Sequence, residues 1–75
     1  MSKKDEQLIK DANENGTPIF VISAKDKLAI DALNKYWELC CENGTPHDHI
    51  MAVRNRINEF QDWQLYNVDK VKLPD

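Results

Sequence analysis

Glycine, cysteine and proline are scarce in this 75-residue chain, at two, two and three residues, and no apolar run exceeds four residues. Each shortage removes a class of function. Two glycines, each followed by threonine, cannot form a glycine-rich phosphate loop. Two cysteines that are neighbours, Cys40 and Cys41, offer no C-x-x-C spacing. Apolar runs this short fall far below the roughly 20 residues that cross a bilayer as a helix, so no membrane association is expected. The start, Met-Ser-Lys-Lys-Asp-Glu, lacks the apolar stretch of a signal peptide. The cytoplasm is the expected location.

Positive charge is also short. Ten Lys and Arg face thirteen Asp and Glu, a net charge of −3. A sequence-independent grip on nucleic acid needs clustered cations that release phosphate counterions. Here the basic spots, such as Lys25/Lys27 and Lys70/Lys72, sit among carboxylates. No nucleic-acid partner is expected.

The chain does contain a repeated five-residue punctuation. Glu14-Asn15-Gly16-Thr17-Pro18 recurs as Glu42-Asn43-Gly44-Thr45-Pro46. Asn-Gly ends a helix, because glycine enters the left-handed region without steric cost. Thr-Pro starts the next element, with threonine as cap and proline where no amide hydrogen is needed. The repeat divides the chain into three segments of one domain.

The first segment predicts a helix over about residues 3–13, opened by Ser2 and Asp5 as an S-x-x-D box. Its apolar stripe is short (Leu8, Ile9, Ala12), so it must dock or fray. After Pro18, Ile19-Phe20-Val21-Ile22 reads as a buried strand, since β-branched side chains lose rotamer freedom in helices. The alternative is one continuous helix over residues 17–42. Ser23 and Asp26 repeat the capping pattern, which places a second helix over about residues 24–42. Polar residues occupy a narrow stripe on that helix (Asp31, Asn34, Lys35, Glu38, Glu42), and most of the rest is apolar. Such a helix is normally enclosed on several sides, which a second copy of the chain would achieve.

A third helix is expected over about residues 46–66, capped by Thr45 with Asp48 three residues on. Ile50, Val53, Ile57 and Phe60 form its core stripe, and the short turn makes helices two and three an antiparallel hairpin. In the tail, residues 68–75, Val71 and Leu73 alternate with lysines, a weak strand pattern. A buried strand needs a partner for its backbone groups. For residues 19–22 that partner is either the tail or the same segment of a second chain. The expected fold is therefore mainly α: a small three-helix domain with one short β segment.

Chemistry-bearing clusters are few. Cys40, Cys41, His47 and His49 carry the right atoms for zinc, but adjacent helical residues point about 100° apart, so no metal site is assigned. Ser2 and Ser23 lie in no nucleophile elbow and read as caps, so no residue is given a catalytic role. No cofactor is implied. The aromatics stand out more. Trp37 and Phe60 suit the core, while Phe20, Tyr36, Trp63 and Tyr66 are candidate interface or ligand contacts.

The run Pro18-Ile19-Phe20-Val21-Ile22, with Ala24, Asp26, Leu28-Ala29 and Trp37, resembles a pattern in short, uncharacterised proteins of bacteria and their phages. Trp63 and the Lys-Val-Lys-Leu-Pro-Asp ending are similar too. The resemblance implies an accessory protein of a phage or mobile element and assigns no functional residue. Taken together, the expectation is a homo-oligomeric interaction module binding a host protein. A small-molecule sequestering protein, for example for a nucleotide, with its pocket between subunits, is the alternative.

Overall fold

The computed structural model describes residues 3–74 of the chain. It is mainly helical: α1 (Lys3–Asn15), α2 (Ala29–Glu42) and α3 (His47–Tyr66), followed by a 3-10 turn (Val68–Lys70). The Ser2 half of the expected N-terminal box lies outside the described residues. Asp5 sits in the first turn of α1, where a carboxylate complements the helix dipole.

The repeated pentapeptide folds the same way twice. Gly16 and Gly44 take φ of 66° and 67°. In each copy the threonine amide reaches back to a carbonyl five residues earlier, Thr17 to Ala12 at 2.9 Å and Thr45 to Cys40 at 3.1 Å. This is the Schellman closure of a helix end. The asparagine side chains add a second tie, Asn15 Nδ2 to the Asp11 carbonyl at 2.9 Å and Asn43 Nδ2 to that of Leu39 at 2.7 Å. Thr45 thus closes α2 rather than capping α3. The N-cap of α3 is Pro46, with no side-chain hydrogen bond there, and Asp48 lies in the first turn.

Two expectations fail between α1 and α2. No strand forms among the described residues. Residues 17–23 run without regular structure, leaving Phe20 86% and Val21 75% exposed. Of the two expected ladder partners, the one within the chain, the tail, goes elsewhere. Residues 68–70 close into a 3-10 turn, and the tail then makes a single parallel bridge between Lys72 and Asp26. That bridge uses Lys27 N to the Lys72 carbonyl at 2.9 Å and Lys72 N to that of Lys25 at 3.0 Å.

The second helix starts five residues later than expected, at Ala29 instead of residue 24. Ser23 and Asp26 do not cap it; they fold the approach into turns. Ser23 Oγ accepts from Lys25 N at 3.2 Å, and its carbonyl from Asp26 N at 3.0 Å. Asp26 Oδ1 accepts from Leu28 N at 2.8 Å, and its carbonyl from Ala29 N at 3.0 Å. Serine and aspartate offer the backbone such local alternatives to helix. From α3, Gln64 Nε2 secures the turns by donating to the carbonyls of Ala24 (3.0 Å) and Asp26 (3.3 Å).

The core sits between α2 and α3, which pack as a hairpin across residues 43–46. Ala29 and Ile57 are wholly enclosed, and Ala12 and Cys40 nearly so. Trp37, Ile50, Val53 and Phe60 are half-buried. The outer side of α2 is not enclosed: Leu28, Ala32, Tyr36 and Leu39 are exposed.

Space around both glycines is open, so a substitution there is penalised through the backbone alone. Gly16→Ala and Gly44→Ala should each cost about 1–2 kcal/mol. In a domain of this size that lowers Tm by roughly 4–8 °C per kcal/mol, readable by thermal denaturation. Asparagine at either position should cost less than alanine.

Candidate binding groove

Helix α1 stands off from the hairpin. None of its Cα atoms comes within 8 Å of one in α2 or α3. The gap is an open groove of about 750 Å3. Leu8 of α1 forms one wall, Leu33 of α2 and Ala52 and Val53 of α3 the other, and Tyr36 and His49 stand at its rim. The helical period explains the wall. Ala52, Val53 and Arg56 fall on one side of α3 at i, i+1, i+4, and Leu33 and Tyr36 lie one turn apart on α2.

Arg56 ties the groove together. Its guanidinium donates from Nη2 to Asp5 Oδ2 of α1 at 3.0 Å and from Nη1 to Glu59 Oε2 at 2.9 Å. The Asp5–Arg56 pair is the one ion pair between α1 and the hairpin among the described residues. Asp5, Leu33 and Arg56 also line a second, smaller hollow of about 400 Å3 beside Phe20, Ile22 and Phe60. The ion pair therefore separates two adjoining apolar hollows.

At the rim, the Tyr36 hydroxyl lies 2.9 Å from His49 Nε2, a hydrogen bond whose direction follows the imidazole tautomer. The two rings meet edge to face at 6.0 Å. The Tyr36 hydroxyl is held above its ordinary pKa of 10.0. The main cause is its hydrogen bond with the Cys40 side chain one turn on, followed by partial burial and the charge Cys40 acquires at high pH. Elsewhere on α2, the Arg54 guanidinium lies 5.2 Å from the centre of the Trp37 ring, a cation–π contact. Trp37 Nε1 is buried there with no acceptor among the described residues.

The four aromatic candidates separate. Tyr36 lines the groove and Phe20 the adjoining hollow. Trp63 and Tyr66 line neither; Trp63 is half-buried and Tyr66 is 83% exposed near the end of α3. Cys40 is buried and Cys41 exposed, and no group of three or more His, Cys, Asp or Glu among the described residues could hold a metal. Sequence reasoning missed Leu8, Leu33 and Arg56 as groove residues. Nothing local marks an ion pair 51 residues apart. No family model, curated protein or solved structure matches this chain.

Arg56→Gln should remove less than about 1 kcal/mol of global stability, as exposed ion pairs do. Its effect should concentrate in α1, whose amides exchange faster in hydrogen-exchange measurements, while Glu59→Gln leaves α1 unchanged. For Tyr36 the sign is set by its raised pKa. A hydroxyl raised on folding contributes fully below its unfolded value and loses that contribution as pH climbs through the folded value. Stability should therefore decline above about pH 10. Comparing urea midpoints of the wild type and Tyr36→Phe across that range checks it, since the variant should show a shallower decline.

Proposed function

We infer that this protein is a small non-catalytic interaction module, working as an oligomer, that holds an apolar segment of a partner protein in the groove beside α1. The observation carrying this reading is the groove itself: an apolar trough about 750 Å3 in size with a rim of both charge signs. An amphipathic helix or extended peptide meets such a surface with apolar anchors inside and polar contacts at the edge. The open gap between α1 and the hairpin, bridged by the Asp5–Arg56 pair, fits the reading too. The resemblance to short proteins of bacteria and phages points the same way, to an accessory role against a host protein.

A second reading, small-molecule sequestration, rests on the polar groups converging at the rim. Tyr36, His49 and Arg56 offer hydrogen bonds above apolar walls, the usual make-up of a ligand site. Native mass spectrometry of gently purified protein separates the readings, since only a sequestered molecule adds a discrete small mass. For the first reading, benzoylphenylalanine in place of Leu8 should photo-cross-link to a distinct protein chain, and the same group in place of Asp69 should not. Equal labelling from both positions, or none from Leu8, would remove the groove from the interaction.

A further inference from the structure

The outer side of α2 is a separate surface. Leu28, Ala32 and Leu39 recur at i, i+4 and i+11, which places them on one line along the helix, on the side away from Leu33, Trp37 and Cys40. All three are exposed, Leu28 at 52% and Leu39 at 43%. The groove residue Tyr36 lies to one side of this line. Asp31, Lys35, Glu38 and Glu42 lie to the other.

Charges of both signs alternate along the surface, with Asp26 and Asp31 among the lysines at its start and Lys35 beside Glu38 toward its end. Lys25 and Lys27 are exposed just before the helix begins, and Glu38 and Glu42 are exposed in its last two turns. Among the described residues Lys25, Lys27, Asp31 and Glu42 join no ion pair, while Lys35 meets Glu38 at 3.6 Å, both well exposed. Two copies laid side by side in the same direction would set lysine against lysine and glutamate against glutamate. Laid in opposite directions, each Asp31 comes within one turn of the partner's Lys35.

From this we propose that the occupant of this surface is a second copy of the same chain, paired α2 to α2 in antiparallel fashion about a two-fold axis. Such an interface is isologous: each contact occurs twice. A centre midway between Leu33 and Asn34 sets Leu28 opposite the partner's Leu39. It also sets Ala32 opposite the partner's Lys35, whose aliphatic stem lies over the small alanine and whose ammonium reaches Asp31. The single bridge of Lys72 to Asp26 brings the backbone of Leu73, itself exposed, alongside that of Lys27. The groove beside α1 stays open on both copies. This inference specifies the oligomer named in the proposed function and makes no use of the groove.

Sedimentation equilibrium and disulfide trapping test it together. The expected species has twice the 8.7 kDa of one chain. Leu39→Glu should weaken association about tenfold or more, as loss of an apolar anchor does. Because Leu39 is partly exposed, its helical circular dichroism should persist. Asp31→Lys and Lys35→Asp should each weaken the dimer, and the two together should restore it. In a Cys41→Ser background, mixing Leu28→Cys with Leu39→Cys chains should give the mixed disulfide. Neither chain alone should cross-link, since its two cysteines would lie about 16 Å apart along the axis.

A dimer that cross-links Leu28→Cys to itself, or that ignores all of these changes, overturns the antiparallel α2 interface and leaves the oligomeric reading standing. A monomer at every concentration overturns both, and the Leu8 cross-linking result then stands alone for the groove.

Discussion

A chain this short encloses few side chains, and that constraint shapes every other feature. A domain of this size buries only about 60% of its unfolded surface. Here Ile57 is the one large side chain fully enclosed among the described residues. Apolar burial is therefore concentrated on one hairpin, with Ala12 of α1 added to it, and directed polar contacts tie in the remaining segments. Most of those come from α3. Arg56 holds α1, and one turn pair further along Gln64 holds the turns before α2. α3 thus acts as a spine from which two otherwise loose segments hang.

That arrangement also explains which parts of the structure were legible in the sequence. The helix ends were readable because their causes are local: a glycine needing positive φ, and an asparagine within reach of a carbonyl one turn back. The three helices and the hairpin follow from those ends. The strand at residues 19–22 was not readable, because composition reports only a preference for extended backbone. Whether a ladder forms within the chain depends on where the tail goes, and after a 3-10 turn at Val68–Lys70 it pairs with Asp26 instead. The start of α2 was misjudged for a related reason. Ser23 and Asp26 can open a helix or close a turn, and Gln64, some forty residues away, favours the turn.

The candidate groove was the least legible part. Tyr36 and Phe20 were singled out as amphipathic or large aromatics, and both line hollows. Trp63 and Tyr66 were singled out on the same grounds and line neither. Residue type alone could not separate these cases, since the difference is which side of the spine each occupies. By contrast, the excess of apolar residues around α2 was visible directly, because helical periodicity needs no knowledge of partners. One side of that excess meets α3, and the other is left outside.

The doubled Asn-Gly ending has a chemical consequence beyond the fold. In a flexible chain, an asparagine before glycine loses ammonia when the following amide nitrogen attacks its side-chain carbonyl to form a five-membered imide. In this structure each asparagine side chain is engaged with the carbonyl one turn back, and each glycine is fixed at positive φ, so the attacking geometry is denied. Each helix end thereby protects its own asparagine from ageing. Moments of local opening are the exception, and accumulated isoaspartate at Asn15 and Asn43 would keep a slow record of how often each end unravels.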